Sequence, residues 1–228
     1  AFQPFVFMNL KGGVTQKSSK SLSNPSEARL AVNVYSALMH LTNGQVKGNI
    51  GVITPYGSQL RVLRDKFRAS LGGSFSSFVE INTVDGFQGR EKEVIIVSLV
   101  RASGGGVGFL ADLRRMNVAL TRARTGMYVI GHEDTLRCNA AWKSLIQRAK
   151  QVGSFLNIND PDENLLDHGA VKSETGLLRN DSVDHGRSVP RFSRDREVSR
   201  VNHLRDNRGN HKGLNERKSG LEEGKCGK

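Results

Sequence analysis

The sequence predicts an α/β fold, with a parallel β-sheet held between two layers of helices. Two observations carry that reading. Short apolar runs alternate with stretches of helical periodicity over residues 5–152, and such alternation folds through right-handed crossovers into an α/β sandwich. Residues 94–100, Val-Ile-Ile-Val-Ser-Leu-Val, are almost continuously apolar, as a central strand covered on both faces requires. A stretch of this length can bury a sizeable core.

Each element has its own signal. Residues 5–8, Phe-Val-Phe-Met, read as the first strand, and residues 11–23, rich in Gly, Ser, Thr and Lys, as a loop. Asn24, Pro25, Ser26 and Glu27 have the chemistry of a helix start. Asn caps, Pro suits the first turn, and Glu27 stands where a capping box wants its carboxylate. Leu30, Ala31, Val34, Leu38 and Leu41 follow at helical spacing and give one apolar stripe. Residues 50–53 form a strand closed by Thr54, Pro55, Tyr56 and Gly57, and Leu60, Leu63 and Phe67 mark the next helix. Further strands are expected at 78–82, 94–100 and 127–131, a loop at Gly104, Gly105 and Gly106, and a helix over 113–120. Trp142, Leu145, Ile146, Ala149 and Val152 mark a last amphipathic helix. From about residue 157 the periodicity ends and isolated hydrophobics sit among Asp, Asn, Arg, Ser and Gly. Such a segment buries too little apolar surface to offset its conformational entropy. The expected organisation is a domain over 1–156 and a disordered polar tail over 157–228.

The chain has 228 residues and a formal net charge of +12. Residues 1–156 hold 20 basic and 9 acidic side chains, whereas 157–228 hold 14 and 13. The excess therefore belongs to the part expected to fold, which points to a polyanionic partner such as nucleic acid; a solvated basic surface without a partner is the plainer alternative. The two cysteines, Cys138 and Cys226, make neither a disulfide framework nor a zinc site and fit a reducing compartment, nucleus or cytoplasm. No run of roughly 18 apolar residues occurs, so no membrane span is expected. The N-terminus lacks the layout of a secretory signal, and Ala1 is not an initiator Met, so an internal piece of a longer protein is expected.

Three segments carry candidate chemistry. Residues 83–91, Thr-Val-Asp-Gly-Phe-Gln-Gly-Arg-Glu, link two strands through a loop whose glycines permit close backbone approach. Ligands of open parallel sheets bind beyond the carboxyl ends of strands, and this loop is expected there; a polar surface turn kinked at glycine is the alternative. In residues 113–124, Leu113, Met116, Val118 and Leu120 anchor a helix and leave Arg114, Arg115, Arg122 and Arg124 at its ends. Read alone, this is a solvated basic helix. In residues 52–59, Val-Ile-Thr-Pro-Tyr-Gly-Ser-Gln, the Thr54 hydroxyl suits a phosphate and the Tyr56 ring suits a base. An ordinary strand-to-helix turn punctuated by Pro55, with Tyr56 packed, is the alternative. His132, alone after a strand, reads as structural.

Together these segments resemble motifs IV, V and VI of the superfamily 1 helicases, in the branch that contains the nonsense-mediated-decay RNA helicases and senataxin. Val-Asp-x-Phe-Gln-Gly-Arg-Glu at residues 84–91 is specific to that branch. Residues 108–112 (Gly-Phe-Leu-Ala-Asp), Gly131 with His132, and Trp142 with Leu145 and Ile146 follow the senataxin-like pattern. The resemblance implies the second RecA-like domain of an ATP-dependent RNA or DNA helicase. It implies that Arg122 is the arginine finger reaching the γ-phosphate, with Arg124 supporting the same site. Glu91 would bind the nucleotide ribose, and Gln88 and Gly89 would line the nucleotide cleft. Thr54, Pro55, Tyr56 and Thr83 would meet the nucleic-acid strand. A guanidinium suits the finger because it is always charged and grips two phosphoryl oxygens. The implied ligands are ATP and Mg²⁺. The implied partners are single-stranded RNA or DNA, an RNA–DNA hybrid, and a first RecA-like domain.

A motor of this kind hydrolyses ATP between two RecA-like domains. The first supplies a Gly-x-x-x-x-Gly-Lys-Ser/Thr loop that cradles the phosphates. This sequence has no such loop, and no Asp-Glu pair after an apolar strand to hold Mg²⁺. Gly224-Lys225-Cys226 lacks both the upstream Gly and the hydroxyl. One wall of a cleft cannot preorganise the transition state, so the expectation is a motor domain that is not catalytic alone. The alternatives are a truncated, non-catalytic protein that binds nucleic acid or a helicase, and a nucleotide-binding module with a structural role.

Overall fold

The computed structural model describes residues 5–18, 21–102 and 106–166. Gly104, Gly105, the tail beyond 166 and Cys226 lie outside the described residues. In chain order the elements are β1 (Phe5–Leu10), β2 (Gln16–Ser18), β3 (Ser21–Ser23), α1 (Pro25–Leu41), β4 (Ile50–Thr54) and α2 (Gly57–Leu71). They continue with β5 (Val79–Thr83), β6 (Lys92–Ser98), α3 (Leu113–Leu120), β7 (Ala123–Gly131), α4 (Glu133–Leu136), α5 (Ala140–Gln151) and β8 (Phe155–Ile158). Six strands form one sheet in the order β5-β4-β6-β7-β1-β8, and every pairing in it is parallel.

The sheet has two dry faces because its strands are apolar at successive positions. One face carries Val6, Met8, Ile50, Val52, Val94, Ile96 and Tyr128, covered by Leu30, Val34 and Leu38 of α1 and by Leu63 and Phe67 of α2. The other carries Phe7, Ile53, Ile95, Val97 and Val129, covered by Met116 and Ala119 of α3 and by Trp142, Ile146 and Ala149 of α5. The result is the three-layer RecA-like arrangement. No helix among the described residues is long and apolar enough to cross a membrane.

Several expectations need correction. The segment read as a loop over 11–23 contains a short antiparallel hairpin, β2 with β3, whose three-residue strands are too brief and polar to show a period. Expected to begin at 127, β7 begins at Ala123, because Arg124 and Thr125 are exposed and add no apolar signal. The boundary expected at 156 falls inside β8, which pairs with β1. Past that strand, Asn33 Nδ2 donates to the carbonyls of Pro161 and Glu163 at 3.2 and 2.7 Å, and Leu165 joins the core. The helix start behaves differently too. Asn24 caps α1 by accepting from the Glu27 N–H at 3.2 Å, but the Asn24 N–H goes to Gln59 Oε1 at 2.8 Å. Glu27 therefore does not close a capping box, and its carboxylate turns inward.

Candidate functional site

Parallel pairing gives the sheet two unlike edges. Thr54 pairs with Thr83 at the carboxyl ends of β4 and β5. Thr54 has 0% exposure; its hydroxyl faces the Tyr56 N–H at 3.5 Å, and its carbonyl accepts from the Val84 N–H at 3.1 Å. It ties two strand ends together and offers no surface in this arrangement. Pro55, Tyr56 and Thr83 are half-buried. The Thr83 hydroxyl accepts from the Gly86 N–H at 3.2 Å. A Cβ on Gly86 would stand 2.3 Å from Asn82 Oδ1, so a side chain there would have to displace the Asn82 amide. The Tyr56 hydroxyl accepts from Arg101 Nε at 2.9 Å.

Behind this edge lies a buried polar network that sequence reasoning missed. Glu27 Oε2 accepts from the Ser98 hydroxyl at 2.7 Å and from the Val100 N–H at 2.8 Å. Gln59 Nε2 donates to Ser98 Oγ and to the Asn24 carbonyl, at 3.0 and 3.1 Å. Asn24 Nδ2 and the Thr15 hydroxyl both donate to the Val100 carbonyl, at 3.2 and 3.0 Å. Val100 sits at φ 72, a costly backbone for a β-branched residue. The network holds that turn and so sets the direction in which Arg101 leaves β6. Burial pushes the Glu27 carboxyl up to about 7, against the lowering effect of its hydrogen bonds from Ser98, Val100 and Leu99. One signal was available: Glu27 precedes Leu30 and Ala31 by three and four residues, which places it on the buried stripe of α1.

The loop expected beyond the carboxyl ends does not stay there. Val79 and Val94 both pair with Ile50, so Glu91 stands below the level at which β5 begins. Residues 84–91 therefore run from one edge of the sheet to the other, roughly 20 Å at the rise of a strand. Phe87 makes this path possible. Its ring is fully buried among Ile53, Val84 and Ile95, and it lies over Gly51 of β4, where a Cβ would stand 2.6 Å from Phe87 Cζ. Gln88 and Gly89 follow, exposed, and Gly89 takes φ 76, which favours glycine.

Three of the candidate residues, Glu91, Arg122 and Arg124, lie at the amino edge. The Lys92 N–H donates to the Arg122 carbonyl at 3.1 Å, and Lys92 pairs with Ala123. Arg124 Nε meets Glu91 Oε2 at 3.2 Å, and a second nitrogen lies 3.9 Å from Glu93. Arg122 folds back on the end of α3, donating from Nε to the Val118 carbonyl at 2.8 Å and from a terminal nitrogen to the Thr121 hydroxyl at 3.1 Å. Glu91, Arg122 and Arg124 thus share one edge, while Thr54, Pro55, Tyr56 and Thr83 share the other. His132 is structural, its Nδ1 accepting from the Thr135 N–H at 3.4 Å at the start of α4. A cavity of about 490 Å³ beside β5, lined by Arg64, Arg68, Phe75, Glu80 and Arg90 among others, contains none of these candidates. Among the described residues no group of three or more His, Cys, Asp or Glu is placed to hold a metal ion.

The all-parallel six-stranded sheet with helices on both faces defines a RecA-like α/β domain. The family described as AAA domain matches residues 1–134, and the chain belongs to it, within the senataxin and nonsense-mediated-decay branch of the superfamily 1 helicases. Over 153 residues it is 40% identical to Helicase SEN1 of Saccharomyces cerevisiae, covering 64% of this chain and 7% of that protein. It is 34% identical over 173 residues to the probable helicase senataxin of Mus musculus, covering 75% and 6%. With Regulator of nonsense transcripts 1 of Dictyostelium discoideum it shares 39% over 164 residues, covering 68% and 12%. The chain therefore spans a small fraction of the relatives it matches.

Proposed function

We propose that this chain is the second RecA-like domain of an ATP-dependent RNA or DNA helicase, working against a first RecA-like domain that holds the phosphates and Mg²⁺. The observation that carries the reading is that Glu91, Arg122 and Arg124 lie on one sheet edge, opposite the edge of Tyr56 and Thr83. The residue chemistry fits a nucleotide. Glu91 is an acceptor for ribose hydroxyls. Arg122 is a fixed positive charge for phosphoryl oxygens, whose negative charge spreads during transfer. The Arg124–Glu91 pair is 62% and 48% exposed, so exchanging it for a ligand costs little. For Arg122 to extend, its guanidinium releases the Val118 carbonyl and takes a phosphate oxygen instead. Gln88 and Gly89 border the same cleft. At the other edge Pro55, Tyr56 and Thr83 meet a single strand, with Thr54 acting through the loop it ties down. Single-stranded RNA or DNA, or an RNA–DNA hybrid, is the substrate class, in the nucleus or cytoplasm. The domain runs from β1 through β8 and its following turn, with the remaining polar segment as a tail.

Two measurements test this. The chain alone, given ATP and Mg²⁺, is expected to release negligible phosphate, since one wall of the cleft lacks most of the stabilising groups; brisk turnover sinks the reading. In the assembled motor, Arg122→Ala is expected to lower turnover by roughly 10³–10⁵ while nucleic-acid binding persists. Equal loss of both would count against the finger.

A further inference from the structure

We propose that Phe109, braced by Arg115 and set beside Tyr56, is a stacking surface for a base of a bound single strand. The inference rests on the proposed reading of the carboxyl edge and adds to it a residue and a contact type.

The Tyr56 and Phe109 rings lie 6.1 Å apart, tilted by 55°. Both are half-buried, so part of each side chain stays accessible to solvent. Their placement is fixed from three directions. Arg101 Nε holds the Tyr56 hydroxyl at 2.9 Å, and another Arg101 nitrogen donates to the Gly106 carbonyl at 2.7 Å. Gly108, at φ 50, lets the loop wrap that guanidinium, since a Cβ there would stand 2.2 Å from an Arg101 nitrogen. Next to Phe109, the Leu110 carbonyl accepts from the indole N–H of Trp142 at 2.9 Å. Finally, the Arg115 guanidinium carbon lies 4.7 Å from the Phe109 ring centroid. Rings fixed this way lose little freedom when a base arrives, which is what a stacking platform needs.

The charges here favour a base contact over a phosphate contact. Arg115 Nε lies 3.6 Å from Asp85 and 3.8 Å from Asp112. Its positive charge is largely matched, while its flat side still supports the ring. Asp85 also follows Thr83 by two residues. That joins the aromatic pair to the Thr83 end of the crossing segment, so one strand can meet both.

The test compares the full chain with Phe109→Ala and Phe109→Leu, binding a uniform pyrimidine strand and an abasic strand of equal length at low salt, where backbone contacts hold. Both variants are expected to bind the base-bearing strand roughly tenfold to a hundredfold more weakly, and the abasic strand as the unaltered chain does. Phe109→Tyr is expected to restore binding. Trp142 emission reports whether the neighbouring loop is intact. Equal losses on both strands, or no loss with that emission unchanged, overturn the inference while leaving the proposed function standing. No binding of either strand by the unaltered chain brings down both.

Discussion

A methyl group at Gly51 tests how the crossing segment is held. The Cβ introduced by Gly51→Ala would stand 2.6 Å from Phe87 Cζ, 2.8 Å from Ile95 Cδ1 and 3.2 Å from Lys92 Cγ. Real Cβ atoms do not approach so closely, so something must shift. Ile95 is held in the central strand; Phe87, at the crest of a short turn (Asp85–Phe87), is the easier to displace. Overpacking of this kind costs about 1–3 kcal/mol, which lowers a urea midpoint by about 1 M. Trp142, the one tryptophan, is 3% exposed in the same core cluster and supplies the fluorescence signal. Phe87→Leu alone should cost about 1 kcal/mol, being a loss of packed volume. Combined, the two changes should cost clearly less than their sum, since leucine withdraws the atom that the new methyl strikes. A coupling of about 0.5–3 kcal/mol is the range for residues in contact. Strict additivity, or a Gly51→Ala midpoint equal to that of the unaltered chain, would show that Phe87 does not rest on Gly51.

Two other changes probe the buried polar groups. The Glu27 carboxyl is raised from 4.5 to about 7 on folding, so the folded state binds this proton more tightly than the unfolded state. Its contribution is therefore full below about 4.5 and is lost as pH rises to about 7, a swing of roughly 3 kcal/mol. Glu27→Gln keeps an amide oxygen for Ser98 and Val100 and should flatten stability over that window; an unchanged slope in urea melts from pH 4.5 to 7 refutes the assignment. Among the described residues, Tyr128 Oη is buried without a hydrogen-bond partner. Tyr128→Phe removes an unsatisfied hydroxyl and should raise stability by up to about 1 kcal/mol; a clear loss in the same melts would mean that the hydroxyl has a partner.

Elements with strong local signals were legible in the sequence. The helix over 113–120 has the same ends in the structure, because Asp112 caps it by accepting from the Arg114 and Arg115 N–H groups and apolar residues anchor it. β4 and the start of α1 were legible for similar reasons. The hairpin, α4 and β8 were not: each has four residues or fewer, shorter than a period needs in order to show. The candidate residues were legible as types, but their distribution was not. The rule that ligands bind beyond carboxyl ends applies to strand ends, and it fails for a loop that crosses a sheet face. The return to the amino edge follows from β5 and β6 running parallel; what nothing local in residues 83–91 announces is that it passes over β4, which lies between them. Glu27 was misread for a related reason. Its spacing from Asn24 fits a cap, yet its Oε2 accepts from Ser98 at the end of β6 and from Val100 just past it, more than seventy residues away.

The crossing segment also bears on how the two edges communicate in the proposed motor. Thr83 stands at one end of residues 83–91 and Glu91 at the other, with Phe87 seated on Gly51 between them. A flexible loop of that length would absorb a displacement at either end. This one is clamped at its midpoint by a fully buried ring and at its start by the Thr54 carbonyl and the Thr83 hydroxyl. Packed interiors resist compression and transmit strain, so in the proposed motor a shift of Glu91 toward a nucleotide would be carried toward Thr83. The Gly51→Ala variant then has a second consequence that stability alone would miss. In an assembled motor it should lower the stimulation of ATP turnover by nucleic acid more than it lowers the affinity for either ligand. Proportional loss of stimulation and affinity would instead mean that the segment is only a covering for the sheet.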